Sequence, residues 1–160
     1  MQYREDQNID QYVDMFEQIY EPIQNLERSF YQVFARLIES IAQCSQYVNK
    51  QNQKGLADHV PEVFSWYCSL VNKANLKMDL SEAIWKKFPY VCPYCLTAPC
   101  TCVRGKKSLE DNGSKIEGKA KENLSKCPTN LDEWQSMFEQ IYPRDPQGYD
   151  QKSNFSHLVE

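Results

Sequence analysis

The chain is poor in glycine and in histidine. Only five glycines occur in 160 residues, so the glycine-rich phosphate loops on which parallel-sheet nucleotide enzymes are built have little to draw on. Two histidines, His59 and His157, give little support to Ser-His-Asp or Cys-His nucleophilic catalysis. No apolar run is long enough to cross a bilayer, so no membrane span is expected. No charged, apolar, small-residue leader is evident either, which points to a cytoplasmic, thiol-reducing setting. A net charge of −4 and a pI of about 5.3 argue against non-specific nucleic-acid binding. What the chain does have is long stretches of helical period, and an all-α fold is the expectation.

Against that background the thiols stand out. Of seven cysteines, four fall in Cys92-Pro93-Tyr94-Cys95-Leu96-Thr97-Ala98-Pro99-Cys100-Thr101-Cys102. A Cys-x-x-Cys turn presents two sulfurs to one point, and Pro99 helps fold Cys100 and Cys102 back toward the first pair. Tetrahedral, structural zinc is the leading reading, since a reducing compartment favours metal over disulfides. Reduced thiols without a metal, or a redox pair, are the alternatives. Cys44 and Cys68 lie within apolar helical patterns and read as small core residues. Cys127 sits beside Pro128 with no partner nearby in sequence.

Residues 9–20 place Tyr12, Phe16 and Ile19 on one stripe, with Met15 beside them and Pro22 as a stop. Leu26, Phe30, Val33, Phe34, Leu37, Ile38, Ile41 and Val48 then recur at threes and fours over a long core helix ending before Lys50. Asp58 reads as the N-cap of a third helix, with Pro61 in its first turn and Val60, Val63, Phe64, Tyr67, Leu70 and Val71 on its apolar face. Asp79-x-x-Glu82 opens a fourth helix carrying Ile84 and Trp85, closed by Pro89 immediately before the cysteines.

From Arg104 the composition turns to Lys, Glu, Gly, Ser and Asn, with Leu109, Ile116 and Leu124 too sparse to make a buried face, and residues 104–128 read as a flexible linker. Thr129 or Asn130 then caps a helix containing Leu131, Trp134, Phe138 and Ile141. That helix is a repeat. Met137 to Tyr142 is identical to Met15 to Tyr20, and a shift of one residue aligns Phe155 to Glu160 with Phe34 to Glu39, so residues 129–160 read as the start of a second, incomplete copy.

The order of these helices, with Val63-Phe64-Ser65-Trp66, the run from Asp79 to Pro89 and the cysteine extension, resembles the MazG-like all-α nucleoside triphosphate pyrophosphohydrolases. A subset of these carries a cysteine-rich C-terminal extension. On that likeness residues 1–103 form a MazG-like helical bundle whose zinc loop spans 88–103. The resemblance implies magnesium-dependent hydrolysis of a nucleoside triphosphate to the monophosphate and pyrophosphate, in a site built between the subunits of a homodimer or higher homo-oligomer. It implies Glu-Glu-x-x-Glu on one helix and Glu-x-x-Asp on the next, because magnesium demands hard oxygen ligands. Here the motifs read Glu39-Ser40-Ile41-Ala42-Gln43 and His59-Val60-Pro61-Glu62. Glu39 and Glu62 keep carboxylates, as catalytic candidates or as ordinary surface residues. Lys87 matches a lysine that faces the substrate phosphates in relatives. Glu160 aligns with Glu39 as the first carboxylate of a second motif. The expectation is a degenerate acidic site of weak or no activity, the alternative a non-catalytic module for nucleotide binding or assembly. A third reading makes the cysteine loop a contact for another macromolecule.

Overall fold

The computed structural model describes residues 7–23, 25–74, 79–102 and 112–143. Among them every regular element is helical: α1 (Ile9–Tyr20), α2 (Phe30–Asn49), α3 (Gln53–Lys73), α4 (Leu80–Lys87), α5 (Gly113–Glu122) and α6 (Leu131–Ile141), with a short 3-10 turn at Leu124–Lys126. The described residues divide into two compact units, one within residues 11–74 and one made of residues 7–10 with 79–102 and 112–143.

In the first of these units α2 and α3 pack along one another as a hairpin. Ser29 caps α2 reciprocally: its hydroxyl accepts from the Gln32 N–H, and the Gln32 side chain accepts from the Ser29 N–H, which satisfies two amides of the chain's entry into the helix. The face turned inward is Val33, Leu37, Ser40 and Cys44, at helical spacing. Phe30, Phe34 and Ile38, which the periodicity also assigns to the core, lie off that stripe and remain 40%, 45% and 49% exposed. Cys44 and Cys68 are buried as expected. Burial pushes both thiols up, Cys68 to about 12, so they sit protonated and inert among apolar neighbours.

The third helix starts earlier than Asp58. Asn52 caps it by accepting from the Gly55 N–H at 3.0 Å, so Pro61 lies inside α3 rather than in its first turn. Gly55 is required by close approach, since a Cβ there would meet the Tyr47 ring at 2.5 Å. Along α1, Tyr12 and Phe16 stand edge-on to Phe64 at centroid distances of 5.8 and 6.0 Å. Asn72 donates to the Val13 carbonyl, and Lys73 pairs with Glu21.

In the other unit Asp79 caps α4, accepting from the Glu82 N–H. A second carboxylate joins it: Asp10 accepts from the N–H groups of Leu80 at 2.7 Å and Ser81 at 3.2 Å, and from the Ser81 hydroxyl. Burial pushes the Asp10 carboxyl up, but the Ser81 and Leu80 hydrogen bonds outweigh it and hold the group below its ordinary value. A depressed carboxylate stabilises above its unfolded pKa and loses that contribution as pH falls through the folded one. Asp10→Ala is therefore expected to cost about 1 kcal/mol at neutral pH, a gap that closes below about pH 4. Denaturant unfolding across pH checks this, and a penalty undiminished in acid would refute it.

Where a linker was expected, residues 113–122 form α5; residues 103–111 lie outside the described residues. Ile116 and Ala120, one turn apart, are its buried positions. The bulk this narrow stripe lacks comes from Trp85 of α4, which is 5% exposed and whose indole N–H donates to the Ala120 carbonyl at 3.2 Å. Asn130 caps α6 by accepting from the Glu133 N–H, and Glu133 reaches back to the Thr129 N–H and hydroxyl. Trp134 stands edge-on to Trp85 at 6.5 Å and Phe138 to Phe88 at 5.3 Å, while Met137 and Ile141 are fully buried. The repeated helices thus use the same stripe: Tyr12 and Phe16 on Phe64 in one unit, Trp134 and Phe138 on Trp85 and Phe88 in the other. The rest of the proposed repeat, residues 155–160, lies outside the described residues. Whereas the sequence pattern groups the cysteine loop with the helices that precede it, the structure groups the loop and α4 with α5 and α6.

Candidate metal centre

The cysteine loop leaves α4 at Phe88 and turns sharply. The Leu96 N–H donates to the Cys92 carbonyl at 2.8 Å and the Cys92 N–H to the Thr97 carbonyl at 3.0 Å, a reversal in which Leu96 takes a positive φ of 61°. The four Sγ atoms of Cys92, Cys95, Cys100 and Cys102 all lie within 4.8 Å of one another. Two of the separations are 3.6 Å (Cys92 to Cys102) and 3.8 Å (Cys95 to Cys100). Metal–sulfur bonds of about 2.3 Å set tetrahedral edges of about 3.8 Å, so the thiols are spaced to hold a metal ion. Among the described residues no other group of three or more His, Cys, Asp or Glu side chains is close enough to share one.

The loop's hydrogen bonds suit thiolates. N–H groups of Thr101 and Cys102 donate to the sulfurs of Cys95 and Cys100, each at 3.4 Å, and Thr97 Oγ1 lies 3.1 Å from Cys95 Sγ. Burial pushes the Cys95 thiol up, yet the Thr97 hydroxyl, the N–H groups of Thr101 and Thr97, and Cys102 together bring it down to about 5. Cys100 and Cys102 go the other way. Burial raises both; the adjoining sulfurs raise Cys102 further, while at Cys100 the Cys102 N–H and thiol pull down and Cys92 pushes up, since thiolates this close repel one another. A dication held by the four sulfurs would offset that repulsion and allow all four to ionise.

Much of what holds the loop comes from residues that sequence reasoning missed. Asn112, 8% exposed, donates its amide to the carbonyls of Pro93 at 3.3 Å and Tyr94 at 2.8 Å. Asn123 donates to the Pro89 carbonyl, and the Ile141 carbonyl accepts from the Cys100 N–H at 2.7 Å. Burial, and then a hydrogen bond to Cys92, raise the pKa of the Tyr142 phenol. The available signal was a pair of asparagines flanking α5. Cys127 stays apart, its thiol 3.9 Å from the Pro128 carbonyl.

The other candidates fall elsewhere. Glu39 is exposed on α2 and ion-paired with Arg36 at 2.7 Å; with Arg28, Gln32, Ala35 and Arg36 it lines a cleft of about 280 Å³. Glu62 lines another of about 280 Å³ with Phe16, Tyr20, Trp66 and Ser69. The Arg28 guanidinium of the first cleft lies over the Trp66 ring of the second, 5.3 Å from its centroid. Ser40 is buried. His59 Nδ1 lies 3.0 Å from the Gly55 carbonyl, and its ring packs on Tyr47. Lys87 is exposed in the last turn of α4, in the other unit, with its Nζ 5.8 Å from the Phe88 ring centroid. Glu160 lies outside the described residues. No helix among them is long and apolar enough to cross a membrane. Comparison with protein-family models, curated proteins and solved structures gave no match to the chain.

Proposed function

We propose that the chain is a MazG-like helical module, stapled by zinc, that takes a nucleoside triphosphate in a degenerate site and turns it over slowly or not at all. The observation that carries this reading is the lone metal cluster: among the described residues four thiols converge, while no trio of carboxylates surrounds Glu39 and Glu62. Zinc is favoured over harder metals by an all-thiolate donor set, and it would supply folding energy rather than chemistry. Seven free cysteines accord with a reducing, cytoplasmic setting.

At the acidic site Glu39 and Glu62 remain to meet a magnesium-bound phosphate. Two carboxylates hold magnesium weakly. The cleft around Glu62 is lined by the aromatic residues Phe16, Tyr20 and Trp66, a setting for a planar base, and Arg28 and Arg36 line the cleft at Glu39 with positive charge for phosphate. Ser40 and His59, where the resemblance implies carboxylates, are committed to packing and to the Gly55 carbonyl.

The test is pyrophosphate release by the full chain with magnesium and each common nucleoside triphosphate. Turnover is expected orders of magnitude below the usual enzymatic range of about 1 s⁻¹ upward, with nucleotide binding still detectable by calorimetry. Robust magnesium-dependent turnover abolished by Glu39→Gln would establish an enzyme instead. A second reading, assembly, is favoured by the α2 face of Phe30, Phe34 and Ile38, which a second copy would cover as a homodimer. Light scattering showing a dimer that binds no nucleotide would select it.

A further inference from the structure

We propose that metal binding and the docking of α6 are a single coupled event, with Asn112 as the positioning residue between them. Both halves of the ligand set are fastened to the segment that follows the loop. The first pair is clamped by Asn112, whose amide donates to the Pro93 and Tyr94 carbonyls between Cys92 and Cys95. Asn112 occupies the N-cap of α5 yet makes no side-chain cap bond there, so its donors serve the loop rather than the helix. The second pair is held at the end of α6, where the Cys100 N–H donates to the Ile141 carbonyl, and the Ile141 side chain is fully buried. Gln140 adds a bond to the Tyr90 hydroxyl at 3.1 Å.

Coupling of this kind is reciprocal: whatever factor the metal contributes to docking α6, docked α6 returns to metal affinity. Metal loss then uncovers Trp134, Met137 and Ile141, so that α6 is a metal-controlled surface.

The test uses the full chain and zinc alone as the probe, titrated against a chromophoric chelator. Ile141→Ala keeps the backbone carbonyl but removes the side chain from the core, and it is expected to weaken zinc binding by about tenfold or more. Asn112→Asp keeps the shape and removes the amide donors. It should weaken zinc similarly and alter the sulfur-to-metal charge-transfer bands of the cobalt-loaded chain, which a merely structural asparagine would leave unchanged. Tyr31→Ala, on the exposed surface of α2, should leave affinity as in the parent. In the metal-free parent, hydrogen exchange across residues 131–141 should accelerate while α2 and α3 stay protected.

The proposal rests on the metal reading above, and the outcomes separate the two. A parent chain that binds no zinc overturns both. Zinc bound equally by parent, Ile141→Ala and Asn112→Asp, or α6 protected alike with and without metal, overturns the coupling and leaves the metal site standing.

Discussion

Replacing Cys95 and Cys100 together by serine is expected to abolish zinc uptake and to unfold α4, α5 and α6 while the α2–α3 hairpin persists. Structural zinc in small domains contributes an apparent 10–16 kcal/mol at neutral pH, comparable to or larger than the roughly 5–15 kcal/mol that stabilises a whole domain. The unit that carries the loop buries Leu80, Trp85, Trp134, Met137 and Ile141 among its described residues, a core of ordinary size that a loss of this magnitude is enough to overcome. Elemental analysis of the parent should give about one zinc per chain, and the doubly substituted chain almost none. Retention of metal by the doubly substituted chain would remove the basis for the four-thiolate site, and unchanged exchange protection across α4, α5 and α6 without metal would show that the site does not hold these helices together.

The second large effect lies in the tryptophan pair. Trp85→Ala and Trp134→Ala are each expected to cost about 3–5 kcal/mol, the usual penalty for emptying a buried aromatic site. Replacement by phenylalanine separates them. The Trp85 indole N–H donates to Ala120, so Trp85→Phe strands a buried carbonyl. Trp134 Nε1 is buried with no partner, so Trp134→Phe deletes an unsatisfied donor whose burial costs about 1–3 kcal/mol. Denaturant unfolding with zinc in excess should show Trp134→Phe as the milder change; the reverse order would mean that ring volume, not hydrogen bonding, governs the pair.

Helix existence was legible wherever a local signal sufficed. Asp79 and Asn130 mark their helix starts because an N-cap depends on one side chain and the amides just beyond it, and the bounds of α1 follow from its stripe and Pro22. Asp58 misled because aspartate before an apolar run caps only if the chain has not already turned helical, and Asn52 had begun α3 upstream. In α2 the apolar surface is wider than the interface, so periodicity alone could not separate Val33 and Leu37 from exposed Phe34 and Ile38. Residues 113–122 were misread because Ile116 and Ala120 are a sparse stripe whose partner, Trp85, is distant in sequence. For the site, cysteine spacing was enough to bring the thiols together, since a tight turn is local chemistry. Asn112 and Ile141 act through backbone carbonyls and amides, which no residue pattern announces.

The duplicated hexapeptide gives the protein a matched pair of chemical reporters. Met15 and Met137 share five following residues, so their intrinsic susceptibility to peroxide is closely alike, yet Met15 is part-exposed and Met137 is sealed. Oxidation to the sulfoxide follows access of the sulfur to solvent. The ratio of the two sulfoxides within one molecule therefore cancels dose, time and concentration, and reads directly whether α6 is seated.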